Sequence, residues 1–285
     1  MIGQTSEPVW LVTGASKGIG RDVVRAALSS GARVVAASRD PSSLVEWATA
    51  QGYAERVLAV AMDVVDEVSV AAGIEAAVDR FGAIDVVVNN AGYLLYGGVE
   101  ELSADEVRRS FGVNVFGLLN VTRAVLPVMR GRRSGRVINM SSISADVTSP
   151  GTGLYSATKA AVQMLSEALD DEARDLGIRS IAVCPGGVRT DFLDASSAQR
   201  ASTVIDDYTS VHRVERALSA GNHRQGGDPQ RVAEVIVELA TMDDPPSRIY
   251  LGRDALAAIE RTEHRVLADV ERYRELSESI TRTGE

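Results

Sequence analysis

The chain has 285 residues, 45% hydrophobic and 24% charged, an ordinary globular composition that allows one large α/β domain with a sizeable core. The net charge of −9 argues against a nucleic-acid binder, which would carry a basic stripe; a few local basic groups would still suffice for a small anionic ligand. The single cysteine, Cys184, rules out an intrachain disulfide and fits a reducing cytosol.

The opening stretch MIGQTSEP has no basic n-region and no apolar h-region, so no signal peptide is expected. No apolar run approaches the roughly 18 residues of a membrane helix. The expected protein is cytoplasmic, with no membrane and no nucleic-acid partner.

VWLVTG (9–14) reads as a first strand running straight into TGASKGIG (13–20) and a helix. Glycines between a strand and a helix suit a phosphate-binding turn: the bend carries no side chain, the backbone can approach a pyrophosphate, and a helix N-terminus faces the charge. A plain tight turn is the alternative. The candidate dinucleotide contacts here are Gly14, Ser16, Lys17, Gly18, Ile19 and Gly20.

RVVAAS (33–38) is a second strand, and its end bears on which nucleotide fits. An NAD site places an Asp or Glu there for the ribose 2′-hydroxyl. This chain has Ser38 and Arg39, and a guanidinium can pair with a 2′-phosphate. Lys17 could add a second cation, whereas Asp40 could pair with Arg39. NADP(H) is the expected cofactor, with NAD(H) as the alternative.

Further strands are read at RVLAVAM (56–62), IDVVVNN (84–90), GRVINMSS (135–142) and IRSIAVCP (178–185). Each is continuously apolar rather than alternating, which marks a parallel sheet covered on both faces. Six strand–helix alternations imply a doubly wound, Rossmann-like α/β sheet of about seven strands. Cys184 lies in the last of these runs and reads as a small buried strand residue rather than a nucleophile.

Residues 103–130 read as one helix, opened by a Ser103–Glu106 capping box. Glycines 31, 52, 82, 131 and 177 fall where helices should stop. Residues 191–227 are rich in small and polar side chains and are expected to form a substrate lid. Then 229–240 reads as a helix, 248–252 as a strand and 254–277 as an amphipathic helix, within a C-terminal helix and tail spanning 253–285. The apolar stripe Leu256, Ile259, Val266, Leu267 and Val270 is expected to dock on the chain's own core, with a subunit contact as the alternative. The last ten residues are expected to fray. No repeat or linker divides the chain, so residues 1–285 are read as one domain.

In LYSATKAAV (154–162), Tyr155 and Lys159 are four residues apart, on one helix face. Taken alone, such a pair is most often solvated, Ser142 is most often a turn cap, and a mid-helix Asn114 usually faces solvent. Taken together with TGASKGIG, NNAG (89–92) and PGGVRT (185–190), these residues follow an order and spacing that resembles the short-chain dehydrogenase/reductase family in its single-domain subgroup. The resemblance covers residues 8 to about 190, with Ser142 lying 13 residues before Tyr155.

The resemblance implies an oxidoreductase that moves a hydride between NADP(H) and a ketone or secondary alcohol. Tyr155 would be the general acid/base. Phenol titrates near pH 10, and a nearby cation favours the phenolate, so Lys159 is placed to lower its pKa. Ser142 would hold the substrate oxygen, Lys159 would also bind the nicotinamide ribose, and Asn114 would hold a water linking Lys159 to solvent. Asn90, Ala91 and Gly92 would line the cofactor channel. Asp63 and Val64 would meet the adenine, although a helix-entry carboxylate is a rival reading for Asp63. Pro185, Gly186, Val188 and Thr190 would cradle the nicotinamide side.

The Asp-Gly-Gly ending that builds the family's tetramer contact is missing, so a dimer or monomer is expected. Tyr93, Leu94, Leu95, Tyr96, Ile143 and Ser144 could line a pocket for an apolar or aromatic carbonyl compound or alcohol, or YLLY could be core packing. His212 and His223 read as solvated loop residues. No metal-ligand spacing occurs, so no metal is expected. A non-catalytic dinucleotide-binding redox sensor is the rival function. The epimerase/dehydratase relatives are disfavoured by the glycine spacing.

Overall fold

The computed structural model describes residues 7–281. In chain order the elements are β1 (Val9–Thr13), α1 (Gly18–Ser29), β2 (Arg33–Ser38), α2 (Ser42–Ala50), β3 (Val57–Ala61), α3 (Glu67–Phe81), β4 (Val86–Asn89) and β5 (Leu94–Tyr96). They continue with α4 (Ala104–Phe111), α5 (Gly117–Arg132), β6 (Gly135–Met140), α6 (Gly153–Ala173), β7 (Ile178–Pro185), β8 (Ala198–Arg200) and α7 (Thr209–Ala220). The last are α8 (Pro229–Thr241), β9 (Arg248–Leu251), α9 (Arg253–Arg272) and α10 (Arg274–Glu278).

Seven strands form one parallel sheet in the order β3-β2-β1-β4-β6-β7-β9. This is the expected doubly wound architecture, and its strands fall where the apolar runs placed them. Every residue of β1 and β7 is buried, because helices cover both faces. Alternate residues of β1 serve opposite cores. Trp10 and Val12 join Val23, Leu28, Ile236 and Leu239 from α1 and α8, whereas Val9 and Leu11 join Ile74, Val121 and Val125 from α3 and α5. The chain reverses its winding between β1 and β4, and a crevice opens there at the carboxyl ends of the strands.

Several expectations need correction. The 103–130 helix runs from Ala104 to Arg132, but a wide turn of π type interrupts it at Gly112–Phe116. By length and composition this helix could cross a membrane, contrary to the expectation from the apolar runs. Its Val121, Val125 and Met129, however, pack fully buried against the sheet. Gly131 does not stop it; Arg133 caps the helix in the left-handed conformation, with φ of 53°. The Ser103–Glu106 capping box forms as expected.

The 191–227 segment is more ordered than its composition suggests. It carries β8, which pairs in parallel with β5, and it carries α7. The stripe on α9 does not dock on the chain's own core as expected. Ala255 and Ile259 are buried, but Leu256, Val266, Leu267 and Val270 are about half exposed, because the helix runs past the edge of the body after its second turn. Part of the tail expected to fray forms α10; residues 282–285, and the opening residues 1–6 read for a signal peptide, lie outside the described residues.

Candidate active site

The glycine loop after β1 is built by close packing. Gly14 and Gly18 have φ of 63° and 55°, which side-chain-bearing residues rarely adopt. A Cβ on Gly20 would lie 2.4 Å from the Gly14 carbonyl oxygen and 2.5 Å from the Asn90 amide, so that glycine is there for packing and does not itself reach the cavity. The Asn90 side-chain amide donates to the Thr13 and Gly14 carbonyls, and the Thr13 hydroxyl accepts from the Asn90 and Ala91 N–H groups. The loop is thereby tied to the end of β4. No side chain caps the start of α1, so its first N–H groups remain available to an anion.

This loop forms one wall of a cavity of about 1030 Å³. Ser16, Lys17, Ile19, Ser38, Arg39, Asp63, Val64, Ala91 and Gly92 line it near the loop, and Pro185, Gly186, Val188 and Thr190 line it beyond the end of β7. These residues therefore share one space. Asp63 makes a local turn, accepting from the Val65 N–H, whereas Asp66 is the carboxylate that caps α3. At the end of β2 the Asp40 carboxylate accepts from the Ser42 N–H and hydroxyl at the start of α2, and the Ser38 hydroxyl donates to the Asp40 carbonyl. Arg39 is exposed and forms no ion pair among the described residues.

Ser142, Tyr155 and Lys159 also line this cavity. Tyr155 and Lys159 are 8% and 6% exposed, so the solvated-pair alternative does not hold. The Lys159 Nζ lies 5.7 Å from the centroid of the Tyr155 ring and donates to the Met140 carbonyl at 2.6 Å. Burial lowers the lysine pKa to about 8, with a small opposing effect from Cys184. The tyrosine departs from expectation. Burial pushes its phenol well above 10, outweighing a hydrogen bond from Ser142 and reinforced by Tyr96, and Lys159 is not among the causes. Ser142 also caps a short turn by accepting from the Ser144 N–H, so the capping role and the cavity position coexist.

Asn114 sits behind the cavity wall rather than on it, 2% exposed, within the π turn. Its amide donates to the Tyr93 carbonyl and to Thr158 Oγ1, and its Oδ1 accepts the Tyr93 N–H. The extra backbone residue of the π turn aims this side chain inward, a common device at functional sites. A Cβ on Gly92 would lie 3.1 Å from Asn114 Oδ1 and 3.7 Å from Lys159 Nζ, so the glycine keeps the space between them free of a side chain.

The cavity's far wall is apolar. Leu94, Tyr96, Ile143, Phe192, Leu193 and Leu218 line it, with the Tyr155 and Phe192 rings 6.0 Å apart. Leu95 instead packs in the interior, away from the cavity. The 191–227 segment approaches the glycine loop through Lys17, whose Nζ donates to Ser196 Oγ. His212 is not solvated as expected; its ring bonds the buried Glu101 at 3.2 Å. His223 is half exposed and lies 3.1 Å from Asp194. Together with Asp191 the latter two form a group whose donor atoms lie within 4.8 Å of one another, a juxtaposition that spacing along the chain did not suggest. Cys184 is buried and donates to Gln163, as a structural thiol would, and burial pushes its pKa to about 12.

Two buried carboxylates fasten the 191–227 segment. Glu101 accepts from the Ile205 N–H and Glu106 from the Ser202 N–H. The Ser103 hydroxyl and N–H hold Glu106 at about 2, against burial, from an ordinary 4.5. Its folded pKa is depressed, so its stabilisation is complete above about 4.5 and is lost as pH falls toward 2. Across a melting series from about pH 5 to pH 3, Glu106→Gln is expected to show a flatter dependence of Tm on pH than the parent protein. Parallel curves would show that Glu106 does not carry this linkage.

Residues 8–201 match the profile described as short chain dehydrogenase, which covers the glycine loop, Asn114, Ser142, Tyr155 and Lys159. The chain belongs to the short-chain dehydrogenase family. It is 33% identical over 270 residues to the oxidoreductase BOA17 of Botryotinia fuckeliana, covering 94% of this chain and 97% of that one. A short-chain dehydrogenase from Streptomyces avermitilis superposes with a TM-score of 0.89 at 35% identity, covering 98% of this chain and all of that one. A short-chain dehydrogenase/reductase from Burkholderia phymatum, solved in complex with NAD, superposes with a TM-score of 0.76 at 26% identity, covering 100% and 99%. Like these relatives, this short-chain dehydrogenase is an oxidoreductase with a nicotinamide-dinucleotide fold.

Asp254 escapes motif reading, and Thr13 and Thr158, though inside the quoted stretches, were given no role; all three hold the site together. Asp254 lies at the start of α9, about 70 residues after the loop that it contacts, and its one signal is the glycine two positions before it.

Proposed function

We propose that this short-chain dehydrogenase interconverts a ketone and a secondary alcohol with NADP(H), using Tyr155 as the general acid/base. The observation that carries the reading is one cavity with the uncapped start of α1 at one end and Ser142, Tyr155 and Lys159 facing an apolar wall at the other. The glycine cradle fits a pyrophosphate, since side chains are excluded where the backbone must approach it. The bound dinucleotide supplies or accepts the hydride.

The chain's own residues handle the oxygen. Ser142 orients it by a hydrogen bond. Tyr155 gives the oxygen a proton during reduction, or takes one during oxidation. Its raised pKa keeps the phenol protonated at neutral pH, which suits the reduction direction. Lys159 holds the nicotinamide ribose and sets the local charge. Asn114, across the gap kept open by Gly92, holds the water that returns the proton from solvent. The apolar wall favours a neutral, apolar substrate.

Arg39 supports NADP(H), because Asp40 is occupied with α2 and leaves the guanidinium free for a 2′-phosphate. NAD(H) is the second reading, favoured by the dinucleotide in the Burkholderia phymatum relative. Thermal-shift measurements separate the two. Saturating NADPH is expected to raise Tm by a few degrees more than NADH, and Arg39→Ala is expected to erase the difference. An equal or larger shift with NADH would reverse the cofactor assignment. No shift with either dinucleotide, in a sample shown to be folded, would remove the binding reading itself.

A further inference from the structure

The loop at Pro185–Val188 leaves the end of β7 and lines the cavity, but glycines 186 and 187 give it little stiffness of its own. The Gly186 N–H donates to the Leu251 carbonyl of β9 at 2.9 Å, and Gly187 is held from two sides. Gly187 accepts from the Gly227 N–H at 2.9 Å, at the end of the lid segment. On the other side the Gly187 N–H donates to Asp254 Oδ2 at 2.7 Å. Asp254 comes from the first turn of α9, where the helix dipole favours a carboxylate.

Asp254 is itself exposed, but the glycine backbone on its inner side is close. A Cβ on Gly186 would lie 2.4 Å from both of its oxygens, and a Cβ on Gly252 would lie 2.6 Å from Oδ1. Gly252 has φ of 108°, which turns the chain sharply from β9 into α9 and brings Asp254 under the loop. Two glycines thus make room for one carboxylate, and a third gives it an N–H. Residue 254 lies outside the stretch that matches the family profile.

We infer that Asp254 is a positioning residue that fixes the Gly186–Gly187 backbone against the nicotinamide end of the bound dinucleotide. The inference rests on the dinucleotide reading above and adds to it the residue that shapes one end of the site. It does not touch the adenosine end, which lies by the glycine loop and Arg39.

The test compares two probes on the full chain: NADPH, and 2′-phospho-ADP-ribose, which lacks the nicotinamide. Asp254→Ala is expected to weaken NADPH binding about tenfold, through the loss of a charge-assisted hydrogen bond and the loop order that it maintains. Binding of 2′-phospho-ADP-ribose is expected to be unchanged. Asp254→Asn, which keeps an acceptor, should recover most of the NADPH affinity, whereas Gly186→Ala should reproduce the loss by displacing the carboxylate. Unchanged NADPH affinity in Asp254→Ala would overturn the inference. Equal losses for both probes would also overturn it, showing a general folding role. If the parent protein binds neither probe, the dinucleotide reading fails first, and this inference with it.

Discussion

Tyr155→Phe is expected to lower kcat by about 10²- to 10⁴-fold, the usual worth of a positioned general acid or base, while dinucleotide affinity is retained. The substitution removes one oxygen and keeps the ring. That ring is 8% exposed and packs against Phe192 and the underside of Lys159, so the fold has little reason to respond. On the proposed mechanism the hydroxyl is the group whose removal matters, because it is the proton donor and Ser142 only orients the substrate oxygen.

Single-turnover measurements with a ketone that the parent protein reduces would read the chemical step directly. A variant with near-parental turnover would show that the proton comes from elsewhere, with Lys159 the next candidate because its pKa of about 8 lies closer to neutrality. Steady-state kcat alone would be less decisive, since product release sets the rate in many such enzymes.

The raised phenol pKa also bears on what the sequence could and could not reveal. The i, i+4 spacing correctly places Tyr155 and Lys159 together, because helix periodicity fixes which side chains share a face. It cannot reveal which effect controls the phenol. That depends on burial by Phe192, Leu193 and Leu218, which come from the 191–227 segment, whose shape composition does not encode. Six of the seven main strands were legible because a strand covered on both faces is apolar throughout; β9, at the sheet edge and only partly buried, was read from the short run at 248–252. β5 and β8 were not legible; each has three residues, and they meet across about a hundred residues of chain.

The same contrast holds within the site. Gly14, Ser142 and Lys159 stand in recognisable motifs, and the structure gathers them around one cavity. Asn114 was identified by motif, but its inward aim depends on a π turn that helix periodicity does not predict. The α9 stripe looked like a core-facing surface because periodicity reports amphipathicity, not the object that covers it. Of its five residues only Ile259 is buried and the other four stay about half exposed, since the body ends before the helix does.

Away from the cavity, Asp170→Ala is expected to cost about 3–5 kcal/mol of stability, the range for breaking a buried ion pair by removing one partner. Asp170 is fully buried on α6. It accepts from Arg179 Nε at 2.8 Å, from Arg179 Nη2 at 3.2 Å, from Arg174 at 2.6 Å and from the Ser180 N–H at 2.9 Å. Alanine would leave the Ser180 N–H on β7 unpaired and deprive the nearly buried Arg179 of its closest buried counter-charge; Asp244, which also pairs with it, is mostly exposed.

Burial alone would raise the Asp170 pKa, but hydrogen bonds from Arg179 and Ser180 outweigh it and hold the carboxyl below 3.8. Its contribution is therefore present above the unfolded pKa and declines as pH falls through the folded one. Urea denaturation should show the full gap between parent and Asp170→Ala at pH 7 and a gap that narrows as pH falls below 3.8. A constant gap would mean that the loss comes from packing and the unpaired N–H rather than from charge. Because this cluster ties α6 to β7, and α6 also carries Tyr155 and Lys159, a folded Asp170 variant with altered kcat would show that it also sets where the Tyr155–Lys159 pair stands.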